Sequence, residues 1–121
     1  MSEIRIYTDG GCWGNPGQGA WAFILLAGEE RLQGRGGEPE TTNNRMELTA
    51  VIAALEERAR HPQWHGLPVA VYTDSQYVQK GISQWIQAWQ RNGWRTKSRE
   101  PVKNQDLWRR LLVLSADVPV C

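Results

Sequence analysis

The sequence predicts an α/β protein with a mixed sheet, in which an antiparallel three-stranded meander and a parallel strand are flanked by helices. Three N-terminal segments have strand patterns and are joined by turns, which favours the meander. A long amphipathic helix then precedes a short β-branched run, and a strand reached through a helix favours parallel pairing. The 121 residues are enough for one domain, over 1–121, and too few for two well-buried cores.

The first half of the chain predicts the meander. Residues 3–8 alternate charged and apolar side chains, as a strand does, and the Gly- and Pro-rich residues 10–17 predict a loop. Residues 20–27 are nearly all apolar and predict a buried strand. After a turn at 28–30, residues 31–36 predict an edge strand that returns along the second.

The long helix is predicted over residues 44–60. Thr41 to Asn44 supply N-cap residues, and Glu47 is expected in the first turn. Apolar residues follow at helical spacing: Met46, Ala50, Val51, Ala54 and Leu55. His61 and Pro62 end the helix, and residues 69–73 predict the parallel strand.

The second half of the chain predicts two further helices. Asp74 and Ser75 are expected to cap a helix over about residues 75–90, which Asn92 and Gly93 end. Residues 94–103 are basic and irregular, and residues 104–114 predict another amphipathic helix. Residues 117–121 predict the start of a further strand.

Composition excludes several classes of protein. No apolar run approaches the ~20 residues of a membrane span, and the N-terminus lacks the pattern of a signal peptide. Cys12 and Cys121 are too few for a disulfide framework or a zinc finger. We therefore expect a cytoplasmic protein with free thiols and no membrane partner.

The net charge of +1 conceals a strong asymmetry. Residues 1–79 carry six basic and ten acidic side chains, a net of −4, whereas residues 80–110 carry a net of +6. Such a distribution fits a face that binds a polyanion. The alternative is an ordinary solvated helical surface.

Three carboxylates occupy special settings. Asp9 follows the first strand, Asp74 follows the parallel strand, and Glu47 opens the long helix. If the two strands are neighbours, Asp9 and Asp74 project from adjacent strand ends and the helix can bring Glu47 over them. Clustered carboxylates repel one another, and hard oxygen ligands of this kind suit Mg²⁺ or Mn²⁺. The alternatives are that Asp74 caps a helix, Glu47 serves the helix dipole and Asp9 stabilises a turn.

Five segments, spread over most of the chain, carry a family resemblance. They are residues 7–17 (YTDGGCWGNPG), 41–48 (TTNNRMEL), 73–78 (TDSQYV), 81–86 (GISQWI) and 101–108 (PVKNQDLW). In this order they closely resemble the motifs of bacterial type 1 ribonuclease H. Related folds, such as integrases and Holliday-junction resolvases, are disfavoured because the Asn-rich and Trp-basic motifs match hybrid recognition.

The resemblance implies a ribonuclease H-like fold and an endonuclease that hydrolyses the RNA strand of RNA–DNA hybrids. Asp9, Glu47 and Asp74 would be the catalytic metal ligands for two Mg²⁺ ions, with Mn²⁺ as a substitute. The products would carry 5′-phosphate and 3′-hydroxyl ends. The alternative is a fragment that binds hybrids without cutting them.

The resemblance also implies which residues bind the hybrid. Those for the RNA strand and its minor groove are Cys12, Asn15, Asn43, Asn44 and Gln76. Those for the DNA strand and its phosphates are Thr42, Asn104, Trp85, Trp89, Trp94, Arg91, Arg95 and Lys97. Structural alternatives remain for some of them: helix capping for Asn43 and Asn44, a small packed side chain for Cys12, and core packing for the tryptophans.

The sequence departs from the family pattern at its C-terminus. The family continues with a fifth strand, a loop bearing a mobile histidine, and a last helix opened by a fourth acidic residue. We transfer these roles neither to His61 or His65 nor to Asp117. The departure implies weakened or absent catalysis, and self-association through an uncovered sheet edge or through Cys121.

Overall fold

The computed structural model describes residues 3–115, which form a four-stranded mixed sheet and a set of helices. The strands are β1 (Ile4–Gly14), β2 (Gly17–Ala27), β3 (Glu30–Thr41) and β4 (Val69–Tyr72). Their order in the sheet is β3-β2-β1-β4, with antiparallel pairs throughout the meander and a parallel pair between β1 and β4. The predicted fold class is confirmed. The strand predicted over 117–121 and the predicted role of Cys121 lie outside the described residues.

The helices follow the meander and β4. They are α1 (Asn43–Ala59), a 3₁₀ turn (Pro62–Trp64), α2 (Gln76–Lys80), a π-helical turn (Gly81–Trp85), α3 (Ile86–Arg91) and α4 (Gln105–Leu114). None of the described helices is long and apolar enough to cross a membrane.

The core lies between the sheet and α1. Alternate side chains of β1 and β2, such as Ile4, Ile6 and Leu25, are fully buried. The five apolar residues predicted to line the helix are buried as well: Met46, Ala50, Val51, Ala54 and Leu55. On the opposite face of the sheet, Tyr7 and Tyr72 stack with ring centroids 5.0 Å apart and are 40% and 44% exposed.

The loop predicted over residues 10–17 was wrong, because β1 continues to Gly14 and pairs with β2 along that whole length. The turn is confined to Asn15 and Pro16. The strand can continue because Gly10 faces the backbone of α1, where a Cβ atom would lie only 2.5 Å from the carbonyl carbon of Met46. Glycine at this position allows the main chains of β1 and α1 to approach each other closely, and it does not form a turn.

Other features also differ from prediction. β3 runs over Glu30–Thr41 rather than over the predicted 31–36. β2 begins at Gly17, and its burial alternates, so it is half-buried rather than buried on both faces. Glu47 is the fifth residue of α1 and lies beyond the first turn. The helix predicted over 75–90 is interrupted by the π-helical turn, in which Gly81 packs against the ring of Trp108.

Candidate active site

Asp9 and Asp74 come together through the register of the parallel strands. Tyr7 pairs with Tyr72 as the last pair between β1 and β4. Each aspartate lies two residues beyond its tyrosine, Asp9 still in β1 and Asp74 just after β4. The two carboxylates therefore stand at the point where the neighbouring strands part.

Glu47 joins them because α1 lies directly on Gly10. At that position a Cβ atom would come within 2.7 Å of the Glu47 backbone nitrogen. Asp9, Glu47 and Asp74 each offer a carboxylate oxygen, and these oxygens lie within 4.8 Å of one another. The predicted triad is thus one cluster.

The alternative structural roles for the three carboxylates do not match their positions. The Ser75 hydroxyl, not Asp74, caps α2 by accepting a hydrogen bond of 3.2 Å from the Val78 amide. Glu47 lies past the first turn of α1, and Asp9 pairs with Ala22 within the sheet rather than in a turn.

The electrostatics of the cluster are unfavourable without a cation. Burial, followed by repulsion from Asp9 and Asp74, raises the pKa of Glu47 to about 7. The Oε2 atom of Glu47 is buried and has no hydrogen-bond partner among the described residues. Three oxygen donors and one unsatisfied carboxylate oxygen fit a hard divalent cation.

The β1–β2 hairpin is tied to the start of α1, where several predicted RNA-binding residues lie. The Asn43 amide donates to Asn15 Oδ1 over 3.2 Å, and the Cys12 thiol donates to the Thr41 carbonyl over 3.3 Å. Asn43 and Asn44 begin α1 with exposed side chains. Gln76 is also exposed, at the start of α2.

Thr42 and Asn104, predicted to hold a DNA phosphate, begin two different helices. Thr42 caps α1, where its hydroxyl oxygen accepts from the Arg45 amide over 3.3 Å. Asn104 precedes α4 in the left-handed conformation, with φ of 60°, and its side chain does not cap that helix. The Arg45 guanidinium donates to Asn104 Oδ1 over 3.2 Å, which connects the two helix starts.

The predicted tryptophans form a partly buried aromatic cluster rather than an exposed platform. Trp89 lies 5.9 Å from Trp85, 6.3 Å from Trp94 and 5.5 Å from Trp108, between ring centroids. Trp89 and Trp94 pack against the core, and Trp108 is fully buried. Trp85, Trp89 and Trp94 are only partly buried, so each of them packs within the cluster and also exposes part of its ring to solvent.

The predicted cations lie beside this cluster. Arg91, Arg95 and Lys97 are all exposed, and Arg95 donates to the Arg99 carbonyl over 3.1 Å. Arg109, which we did not predict, lies 4.8 Å from the ring centroid of Trp94. The aromatic cluster thus carries positive charge on its solvent side.

Arg45 and Trp13 are two further residues that sequence reasoning missed. Arg45 stands within the Asn-rich motif, but its partner Asn104 is distant in sequence, so no local pattern shows the contact. Trp13 is 89% exposed and lines an open groove of about 930 Å³ with Asp9, Trp21 and Arg35. The sequence signal that could have identified Trp13 is its position close to the glycines of the first motif.

Comparison with known proteins identifies the family. Residues 1–120 match the RNase H family model. A Ribonuclease H of Cupriavidus necator is 54% identical over 115 residues, covering 95% of this chain and 76% of that protein. The crystal structure of LC9-RNase H1, a type 1 RNase H with the type 2 active-site motif, matches with a TM-score of 0.86 and 27% identity, covering 100% of this chain and 61% of that chain.

A further solved structure, LC11-RNase H1 in complex with RNA/DNA hybrid, matches with a TM-score of 0.75 and 24% identity, covering 98% of this chain and 83% of that chain. At that identity the likeness concerns the fold. The family model and the Cupriavidus relative extend the match to the sequence, including the three segments that carry the carboxylates. This chain belongs to the ribonuclease H family.

Proposed function

We propose that the chain is an endonuclease that hydrolyses the RNA strand of RNA–DNA hybrids and leaves 5′-phosphate and 3′-hydroxyl ends. The observation that carries the proposal is the meeting of the Asp9, Glu47 and Asp74 carboxylates within 4.8 Å. Family membership supports the reaction, and the LC11 relative was crystallised with an RNA/DNA hybrid.

Asp9, Glu47 and Asp74 hold two divalent cations, Mg²⁺ or Mn²⁺, in this proposal. When bound, such ions make a water molecule nucleophilic and stabilise the departing 3′-oxygen. The chain contributes a preorganised set of oxygen donors, because β-strand register fixes the two aspartates and main-chain contact fixes Glu47. Burial, followed by repulsion from Asp9 and Asp74, raises the pKa of Glu47 to about 7, so positive charge beside this carboxylate, from a proton or from a cation, is favourable.

The RNA strand lies along the start of α1 in our proposal. Asn43, Asn44 and Gln76 offer exposed amides that can donate to 2′-hydroxyl and minor-groove acceptors. Cys12 and Asn15 act chiefly through the hairpin, because their side chains already bond Thr41 and Asn43. The hairpin therefore fixes the helix start against which the minor groove rests.

The DNA strand lies across α3 and the basic segment that follows it. Thr42 and Asn104 offer neutral donors to one phosphate, while Arg91, Arg95 and Lys97 neutralise others. The exposed edges of Trp85, Trp89 and Trp94 contact the sugars. In this proposal the side-chain amides at the start of α1 and α2 contact the RNA strand, whereas the cations and tryptophans contact the DNA strand.

Cleavage of an end-labelled RNA–DNA hybrid tests the proposal, with Mg²⁺, Mn²⁺ or EDTA and with Asp74→Asn as the inactive variant. We expect metal-dependent cutting of the RNA strand and at least a 100-fold loss, to order of magnitude, in the variant. Glu29→Gln serves as a control, since it removes an exposed carboxylate in the turn between β2 and β3, outside the cluster. Tight binding without cutting by the unmodified chain would show a hybrid-binding protein instead and refute the nuclease.

A further inference from the structure

We propose that Arg45 is a positioning residue that fixes the side-chain amide of Asn104 so that it presents only an N–H donor to the nucleic acid. The inference rests on the proposed function, because it concerns how that site grips a phosphate. A chain of hydrogen bonds links α1, α2 and the start of α4, and no single sequence motif contains all of its members.

The oxygen of the Asn104 amide is committed to Arg45. The Arg45 Nη1 atom donates to Asn104 Oδ1 over 3.2 Å. An arginine side chain has donors and no acceptor, so the amide atom that faces it must be the oxygen. The opposite orientation of the amide would place two donors against each other.

The nitrogen of the same amide is half committed to Tyr77. Asn104 Nδ2 donates to the Tyr77 hydroxyl over 3.1 Å, and the Trp108 indole donates to the same oxygen over 2.9 Å. An amide nitrogen carries two hydrogens, so one N–H of Asn104 remains. With Oδ1 turned toward Arg45, Asn104 presents its remaining N–H outward, which suits a phosphate oxygen and not a base donor.

Arg45 is itself held in place from two sides. Its guanidinium forms a bidentate pair with Asp106, at 2.9 and 3.1 Å, which raises the pKa of Arg45 and lowers the pKa of Asp106. Its backbone amide donates to the hydroxyl of Thr42. Because Arg45 bonds to Thr42 and Asn104, it also sets the spacing between the two residues proposed to hold one phosphate.

The side chain of Asn104 is not used to cap the helix that follows it. Asn104 has a φ of 60°, in the left-handed region that asparagine adopts more readily than most other residues. Its side chain makes no cap with α4, so the bonds to Arg45 and Tyr77 are the ones that orient it. Loss of Arg45 frees the amide to rotate and to present its oxygen outward.

A double-mutant cycle on hybrid binding in EDTA tests the proposal, using anisotropy of a labelled RNA–DNA hybrid. We expect Arg45→Leu to raise the Kd about tenfold, as loss of one hydrogen bond to a charged group does, and Asn104→Ala to do the same. The double variant should bind within about twofold of Asn104→Ala, because Arg45 acts through Asn104. Arg60→Leu, which removes a positive charge at the far end of α1, should change the Kd less than about twofold.

Three results would overturn the inference. A further tenfold or so weakening by Arg45→Leu in the Asn104→Ala background would make Arg45 a direct phosphate ligand. Asn104→Asp keeps an acceptor for Arg45 but lacks the outward N–H, so wild-type binding by this variant would refute the donor assignment. If Arg45→Leu does not fold, Arg45→Lys replaces it, and a Kd equal to wild type would refute the need for the guanidinium.

Kinetics with Mg²⁺ provide a second readout. A positioning role raises KM and leaves kcat within about twofold, whereas general damage to the fold lowers kcat as well. A wild-type chain that binds the hybrid but does not cut it would refute the proposed nuclease, and the binding cycle would still decide the role of Arg45. A chain that binds no hybrid would refute both.

Discussion

At the scale of single residues, the cluster of Asp9, Glu47 and Asp74 shows a conflict between stability and function. Three carboxylates converge, and the buried Oε2 atom of Glu47 has no partner among the described residues. The fold therefore carries a repulsive site that a cation would relieve. Functional sites often contain arrangements of this kind, which lower the stability of the fold but are needed for function.

This conflict predicts a pH-dependent stability for the metal-free chain. The folded pKa of Glu47 is about 7, above its ordinary value of 4.5, so the folded state binds more protons between those two values. The free energy of unfolding should therefore fall as pH rises through that window. Urea unfolding in EDTA at about pH 5 and about pH 8 measures the effect.

Glu47→Gln should flatten this dependence and raise the stability above neutral pH, because glutamine never ionises. Glu40→Gln, which removes an exposed carboxylate of β3, should retain the wild-type profile. If Glu47→Gln left the pH dependence of the free energy of unfolding unchanged, that dependence would not arise from Glu47.

Sequence alone indicated these residues because each of them lies at a recognisable boundary. Asp9 and Asp74 follow strand patterns, and Glu47 follows an N-cap pattern. The contact between Arg45 and Asn104 could not be predicted in this way. It joins the starts of two helices that meet only when α4 packs on α1.

At the scale of secondary-structure elements, the predictions of β1 and of the second helix were wrong at glycine residues. Gly10 and Gly11 suggested a loop by composition, yet both belong to β1. Gly81 gave no sign of a π-helical turn within the second predicted helix. In both places the glycine accommodates another part of the molecule, and a local pattern contains no information about that neighbour.

The contact of Gly81 with Trp108 makes a specific prediction. Alanine normally stabilises a helix by about 1 kcal/mol relative to glycine. Here the added Cβ would overlap the indole ring of Trp108, which is fully buried. We expect Gly81→Ala to lower the free energy of unfolding by about 1–3 kcal/mol, as overpacking does.

Urea unfolding of Gly81→Ala beside Gln84→Ala checks this result. Gln84 is an exposed residue of the same π-helical turn, so its change tests the effect of alanine without the clash. Increased stability of Gly81→Ala would mean that Trp108 moves aside at little cost.

At the scale of the whole molecule, the charge asymmetry separates two functions. The carboxylate cluster belongs to the acidic residues 1–79, and the basic segment lies within residues 80–110. In the proposed function, a polyanion held by Arg91, Arg95 and Lys97 would bring its backbone toward the acidic site. The charge counts predicted only a polyanion-binding face, and they did not predict the packing of α3 against α4 in the aromatic cluster beside these cations.

Salt dependence of hybrid binding measures the contribution of the basic segment. A plot of the logarithm of the association constant against the logarithm of the salt concentration has a negative slope. Replacing Arg91, Arg95 and Lys97 by glutamine should reduce the magnitude of this slope by about 2–3, if each cation neutralises one phosphate. The same replacement of Arg5, Arg31 and Arg60, which are exposed elsewhere, should leave the slope within about 0.5 of wild type. Equal slopes in both triple variants would mean that hybrid binding depends on net charge alone.

The contact between Gly10 and α1 has a consequence for how the chain tolerates substitution. Main chain touches main chain at Gly10, so no side-chain rotamer lies between β1 and the segment that carries Glu47. A side chain at residue 10 would have to push α1 away from β1, so we expect any replacement of Gly10 to widen the spacing between Glu47 and Asp9.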